Sequence, residues 1–108
     1  MTIKFLSTVS LAKKAGKVVN GEDAVKGAVR DGKAALVILA EDAGKNTVKS
    51  IVNSCAYYNV KYICFGSKEE LGRATGKNFN AVIAICDTGL ANSIEKAIST
   101  KTNGGEVL

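Results

Sequence analysis

Short, unbroken apolar runs constrain this chain most: Leu36-Val37-Ile38-Leu39, Tyr62-Ile63-Cys64-Phe65 and Ala81 to Cys86. Each is the length of a strand, and none alternates with polar residues. A strand of that kind is covered on both faces of a sheet. Between the runs the apolar spacing changes to that of a helix. Residues 2–15 carry Ile3, Leu6 and Val9 on one side, with Gly16 as a stop. Val18-Val19 predicts a short extended segment. Residues 22–31 repeat Ala24, Val25, Ala28 and Val29 behind the acids Glu22 and Asp23, and Gly32 closes that helix.

Residues 46–58 turn Val48, Ile51, Val52 and Cys55 inward. Ser67-Lys68-Glu69-Glu70 has the spacing of a capping box, and its helix runs through Leu71 and Ala74 to Gly76. A last helix over about residues 88–99 presents Leu90, Ile94, Ala97 and Ile98, with Asp87-Thr88 as its cap. Strands alternating with helices predict an α/β architecture, a parallel or mixed sheet with helices on both faces. The 108 residues fit one domain over 1–100, followed by a frayed, flexible tail over 101–108 containing Gly104-Gly105.

Composition removes several function classes. There is no histidine, the commonest general base and metal ligand. Cys55, Cys64 and Cys86 share no C-x-x-C spacing and sit in apolar surroundings. They read as small buried residues in a reducing compartment, with no metal or redox role. No stretch has the length of a membrane span, and Ser7, Thr8 and Ser10 interrupt the apolar N-terminal segment before it could act as a signal peptide. A cytoplasmic location and no membrane partner are expected.

Two glycine-lysine stretches invite a phosphate-loop reading and fail it. Gly72-Arg73-Ala74-Thr75-Gly76-Lys77-Asn78 has its glycines too close, lacks the final hydroxyl and ends a helix. Gly16 and Gly21 have the right spacing, but Glu22-Asp23 follows them. Glu41-Asp42 lies beyond a strand end, where α/β proteins often place sites, and reads as a loop pair before a helix. No nucleophile-base set exists, so neither an enzyme nor a cofactor is expected.

The net charge is +5. Residues 1–33 hold Lys4, Lys13, Lys14, Lys17, Lys26, Arg30 and Lys33 against Glu22, Asp23 and Asp31, or 7 − 3 = +4. Such a field suits a polyanion, and it equally suits a soluble basic surface with no partner. Within it, Lys13, Lys14 and Lys17 crowd one helix end, and Gly16 and Gly21 permit close backbone approach. A helix N-terminus follows, whose free amides suit a phosphate. Glu22 and Asp23 could accept hydrogen bonds from bases, or could simply cap the helix. Cations on phosphates beside acceptors on bases is a division of labour fit for structured RNA.

The run Lys13 to Asp23, then Leu36 to Ala43, Tyr57-Tyr58-Asn59-Val60, and Leu71 to Lys77 resembles the bacterial YlxQ-type branch of the ribosomal protein L-seven-Ae family. These are kink-turn RNA binders, and the match covers about residues 5–98. The resemblance implies a three-layer α-β-α sandwich around a four-stranded mixed sheet. It implies that the helix start at Gly21 to Gly27 enters the groove at sheared G·A pairs, while Lys77-Asn78-Phe79 covers an unstacked nucleotide. The expected RNA-binding set is Lys13, Lys14, Lys17, Asn20, Gly21, Glu22, Asp23, Lys26, Lys77, Asn78 and Phe79, with no catalytic or metal-binding residue.

The chain departs from the family's Gly-Thr-Asn-Glu-x-x-Lys helix start at Asp23, Ala24 and Gly27, which puts Glu22 forward as the base acceptor. The expected partners are a kink-turn in ribosomal or messenger RNA and the ribosome, bound by a monomer. Two rival readings use the same fold: a protein–protein adaptor without RNA affinity, and an accessory RNA-recognition domain working in trans with an RNA methyltransferase.

Overall fold

The computed structural model describes the backbone of residues 2–106 and the side chains of residues 3–98. In chain order the elements are α1 (Thr2–Lys14), β1 (Val18–Asn20), α2 (Glu22–Arg30), β2 (Leu36–Leu39), α3 (Lys45–Tyr58), β3 (Tyr62–Cys64), α4 (Lys68–Thr75), β4 (Val82–Ile85) and α5 (Thr88–Glu106). The strands form one mixed sheet in the order β1-β4-β2-β3. β4 is antiparallel to both β1 and β2, while β2 and β3 are parallel.

The apolar runs act as their pattern predicts. Every residue of β2 and β4 is buried, and alternate side chains enter different cores. Leu36, Ile38, Ile83 and Ile85 meet Phe5 and Val9 of α1, Leu71 of α4 and Ile94 of α5. Val37, Leu39, Val82 and Ala84 meet Val25 and Val29 of α2 and Ile51 and Cys55 of α3. The result is three layers: α1, α4 and α5 on one face, the sheet, and α2 and α3 on the other.

Local signals set the boundaries. Ser67 and Glu70 form a reciprocal capping box, with Glu70 N donating to Ser67 Oγ at 3.0 Å and Ser67 N donating to Glu70 Oε1 at 2.9 Å. Asp87 accepts from Leu90 N at 2.8 Å, so it caps α5. Gly76 closes α4 at φ 78°, a backbone geometry that costs a side chain energy and glycine almost nothing.

Four expectations change. β3 lies at the sheet edge, and Tyr62 and Cys64 are exposed rather than buried. They point to the same face as Val37 and Leu39, their neighbours in register, but α2 and α3 pack over the inner strands. Of the cysteines, only Cys55 is buried. The Glu41-Asp42 pair does not cap α3, which starts at Gly44 without a side-chain cap. Instead Asp42 Oδ1 accepts from Lys68 N at 2.8 Å and ties the β2–α3 loop to the start of α4. Finally, α5 runs through Glu106, past the helix end expected near residue 99. Residues 107–108 of the expected tail lie outside the described residues.

Candidate nucleic-acid interface

β1 is only Val18–Asn20, and its direction decides which expected residues meet. Its register with β4 pairs Val18 with Ile85 and Asn20 with Ile83. Lys17 O accepts from Cys86 N at 2.8 Å, whereas Gly21 N donates to Val82 O at 3.2 Å. Lys17 and Gly21 therefore sit at opposite ends of the strand, about 10 Å or more apart at the usual rise per residue. Lys13 and Lys14 lie in the last turn of α1 and belong with Lys17. The continuous run Lys13 to Asp23 is thus two places, and the expected crowding of its lysines against the α2 start does not occur.

At the Gly21 end the chain leaves β1 and turns into α2. Gly21 has φ 91° and ψ 155°, a region open essentially to glycine alone, and nothing lies within 4 Å of where a Cβ would be. The requirement for glycine is therefore one of backbone geometry, and the space beside it is free. No side chain caps α2, which leaves its first-turn amides facing that space.

Two of the residues expected to face RNA are already engaged. Glu22 Oε1 accepts from Thr47 Oγ1 at 3.1 Å, and Lys26 Nζ donates to Ser50 Oγ at 2.9 Å. Glu22 and Lys26 lie one turn apart on α2, as Thr47 and Ser50 do on α3, so these bonds pin the two helices side by side and parallel. Asp23 points away from that seam and is exposed. Ala24 is exposed beside it, and Gly27 is half-buried with the Arg30 side chain 3.7 Å from its would-be Cβ.

The α4–β4 loop stands next to this turn because of a buried network. Asn80, only 6% exposed, donates from Nδ2 to Asn20 Oδ1 at 2.8 Å and to Thr75 Oγ1 at 3.0 Å. Thr75 Oγ1 in turn donates to Leu71 O at 2.7 Å. Asn80 N donates to Lys68 O at 2.9 Å, and Lys77 N to Gly72 O at 2.7 Å. A Cβ on Gly72 would stand 2.7 Å from Asn78 O and 2.8 Å from Phe79 Cα, so the loop can lie on α4 only because residue 72 has no side chain. Lys77 and Asn78 are exposed, and Phe79 is 69% exposed. A phenylalanine ring held in solvent by a buried amide network has the shape of a stacking platform.

Asn20, Gly21, Asp23, Lys77, Asn78 and Phe79 therefore gather at one end of the sheet. Glu22 and Lys26 flank them but brace α3. Lys13, Lys14 and Lys17 stand at the other end. Thr75, Asn80 and Gly72, which fix the site, were not among the expected residues. Gly72 carried a signal, since a glycine inside a helix costs roughly 1 kcal/mol against alanine and often marks a close approach. Asn80 meets Asn20 across 60 positions of sequence, which no local pattern reveals.

Among the described residues no cluster of ligating side chains could hold a metal ion, and no helix is long and apolar enough to cross a membrane. Two open clefts, of about 360 Å³ beside Val48 and Val52 and about 250 Å³ between Leu6 and Ala74, are lined by none of the residues of this turn.

Comparison with known proteins agrees with this arrangement. Residues 3–95 match the model of the ribosomal protein L7Ae/L30e/S12e/Gadd45 family. The RNA-binding protein YlxQ of Bacillus subtilis (strain 168) is 41% identical over 92 residues, covering 85% of this chain and 92% of that protein. The RNA-binding protein YlxQ of Enterococcus faecium is 33% identical over 95 residues, covering 88% and 91%. Among solved structures, a Bacillus halodurans C protein of unknown function superposes with a TM-score of 0.79 at 38% identity, covering 85% of this chain and 97% of that one. The Giardia lamblia 15.5kD RNA binding protein superposes with a TM-score of 0.73 at 26% identity, covering 92% and 85%. From the match over residues 3–95, with relatives aligned along most of their length, this chain belongs to the ribosomal protein L7Ae/L30e/S12e/Gadd45 family.

Proposed function

We propose that this protein binds structured RNA without acting as an enzyme, and that the Gly21 end receives a kink-turn or a similarly bent duplex. The observation that carries this reading is the Asn20–Asn80–Thr75 clamp. It sets an uncapped helix start and an exposed phenylalanine side by side at one end of a rigid sheet. The first-turn amides of α2 and Lys77 take phosphates. Asp23, with the unused oxygen of Glu22, accepts from guanine imino and amino groups, and Phe79 stacks on a base that has left the duplex. Relatives named as RNA-binding proteins support the partner class. The bent duplex is favoured because an exposed ring takes a base that has left the duplex, which a straight, fully paired helix does not offer. The reading includes a cytoplasmic, translation-associated role on the ribosome or a messenger RNA, which membership of a ribosomal protein family supports.

The test compares one kink-turn RNA with the same RNA after its G·A pairs are changed to Watson–Crick pairs. Tight binding to the first and weak binding to the second is expected. Equal affinity would remove the kink-turn and leave only general RNA binding. No binding to either would favour an adaptor role.

A further inference from the structure

Charge is sorted between the two ends of this sheet. The Gly21 end comprises the loops and helix first turns around the starts of α2, α3 and α4. With the first turn of α1, Lys26 and the last turn of α4, it carries Lys4, Lys26, Lys45, Lys68, Arg73 and Lys77 against Glu22, Asp23, Glu41, Asp42, Glu69 and Glu70, or 6 − 6 = 0. The opposite end comprises the last turns of α1, α2 and α3 and the entries to β1, β2, β3 and α5. It carries Lys13, Lys14, Lys17, Arg30, Lys33 and Lys61 against Asp31, Asp87 and Glu95, or 6 − 3 = +3. Two of its cations are partly spent, Arg30 on Asp31 at 3.2 Å and Lys61 on Glu95 at 2.8 Å. The side chains of Lys13, Lys14, Lys17 and Lys33 are exposed and make no hydrogen bond or ion pair among the described residues.

Topology brings these cations together from distant parts of the sequence. β1 and β2 flank β4, with Lys17 O bonded to Cys86 N and Ala35 N bonded to Ile85 O. Lys17 and Lys33 thus enter the sheet on either side of the last residues of β4, on strands about 10 Å apart at the usual strand spacing. Both ammoniums pull the Cys86 thiol pKa down against the larger upward push of its burial, as groups close to that sulfur should. The parallel α2 and α3 end here too, and α3 delivers Tyr57, 82% exposed, edge-to-face with Tyr58 at 4.8 Å. Unpaired lysines at the end of the sheet where the exposed tyrosines also lie suit a nucleic acid, with phosphate charge met by cations and any unpaired base by a ring.

We infer that the Lys17–Lys33 end is a second RNA-contact face, which holds the phosphate backbone of a duplex without reading its sequence and lets one molecule bridge two RNA segments. The two ends are about 10 Å or more apart along β1, and a separate or longer RNA segment would supply the phosphates of this end. The inference rests on the RNA-binding reading but not on kink-turn recognition, because its probe is a plain, fully paired RNA duplex.

The full chain, its Lys17→Glu/Lys33→Glu variant and its Phe79→Ala variant are titrated with that duplex and with a minimal kink-turn RNA. Circular dichroism checks that each variant is folded. The double charge reversal is expected to weaken duplex binding by about tenfold or more, and to flatten its salt dependence by roughly 2 in the slope of log K against log salt. It should leave minimal kink-turn binding within about twofold, since the ends lie beyond a Debye length of ~8 Å at physiological salt. Phe79→Ala should give the converse pattern. A duplex affinity unchanged by the charge reversal, or no duplex binding by the wild type, overturns the second face. So does an equal loss on both RNAs, which would mean one continuous site. If anionic lipid vesicles bind through these lysines while the duplex does not, the face belongs to a membrane and the inference fails. Loss of kink-turn selectivity alone strikes the proposed function and leaves this inference standing.

Discussion

The two ends of the sheet are built by different means. At the Gly21 end, side chains are held: Asn80 grips Asn20 and Thr75, Glu22 holds Thr47, Lys26 holds Ser50, and Asp42 holds the start of α4. At the Lys17 end, four lysines stand unpaired on flexible stems around short connections. Fixed dipoles and a fixed ring suit recognition of one shape, because little ordering remains to be done on binding. Flexible like charges suit a partner whose phosphates recur everywhere along its length. One small fold thus separates shape from charge by the length of a strand.

The sharpest way to break this contrast is to unseat the loop. Gly72→Val would drive a side chain into the Asn78 and Phe79 backbone, and overpacking of this kind costs about 1–3 kcal/mol. Denaturant unfolding should show that loss. Kink-turn affinity should fall further than stability alone explains, while duplex binding by the folded fraction persists. If kink-turn affinity survives, the loop is not part of the site.

Asn80→Ala should come next. It strips the donor from Asn20 Oδ1 and Thr75 Oγ1, and unsatisfied buried groups cost about 1–3 kcal/mol. The expected signature is a lower unfolding midpoint with an unchanged m-value, together with looser kink-turn binding. Phe79→Ala, by contrast, should barely move stability, since the ring is exposed, yet cost about 1–3 kcal/mol of RNA affinity if a base stacks on it. A normal affinity for that variant would assign the ring no part in binding.

The smallest effect probes the basic end chemically. Lys17 and Lys33 hold the Cys86 thiol below where burial alone would put it, so replacing both with glutamate should raise its pKa further. Alkylation of Cys86, followed by mass spectrometry at fixed alkaline pH, should slow in that variant. The exposed Cys64 serves as the internal control, because it lies on β3 near the other end. An unchanged rate at Cys86 would place the lysines too far from the sulfur to form one surface.

Much of the fold was legible because it rests on local chemistry. The buried runs of β2 and β4, the Ser67–Glu70 box, the Asp87 cap and the Gly76 stop all follow from neighbouring residues. The exposure of Phe79 also agreed with its position between two asparagines outside any periodic run. The mixed sheet with helices on both faces held, and what failed were particular contacts between elements. An apolar run cannot say whether it will lie at an edge, so Tyr62 and Cys64 read as core. Glu22 and Lys26 looked free because Thr47 and Ser50 lie one helix away. The lysine run and the glycine turn looked like one patch because they are adjacent in sequence, yet even a three-residue strand carries the chain from one end of the sheet toward the other.

The clamp at Asn20 has a chemical consequence beyond holding a loop. Asn20 is followed by Gly21, and asparagine before glycine is the dipeptide most prone to ageing. The glycine nitrogen attacks the asparagine side-chain carbonyl, ammonia leaves, and the resulting ring opens to aspartate or isoaspartate. Here that nitrogen donates its hydrogen to Val82 O, and the side-chain carbonyl is held by Asn80, so the two reacting atoms are each tied to other partners. Of the two Asn-Gly pairs in the sequence, the fold therefore shelters the one at the point where the site is built. A variant that loosens Asn80 would lose shape first, and then, over days in solution, the identity of the residue at position 20.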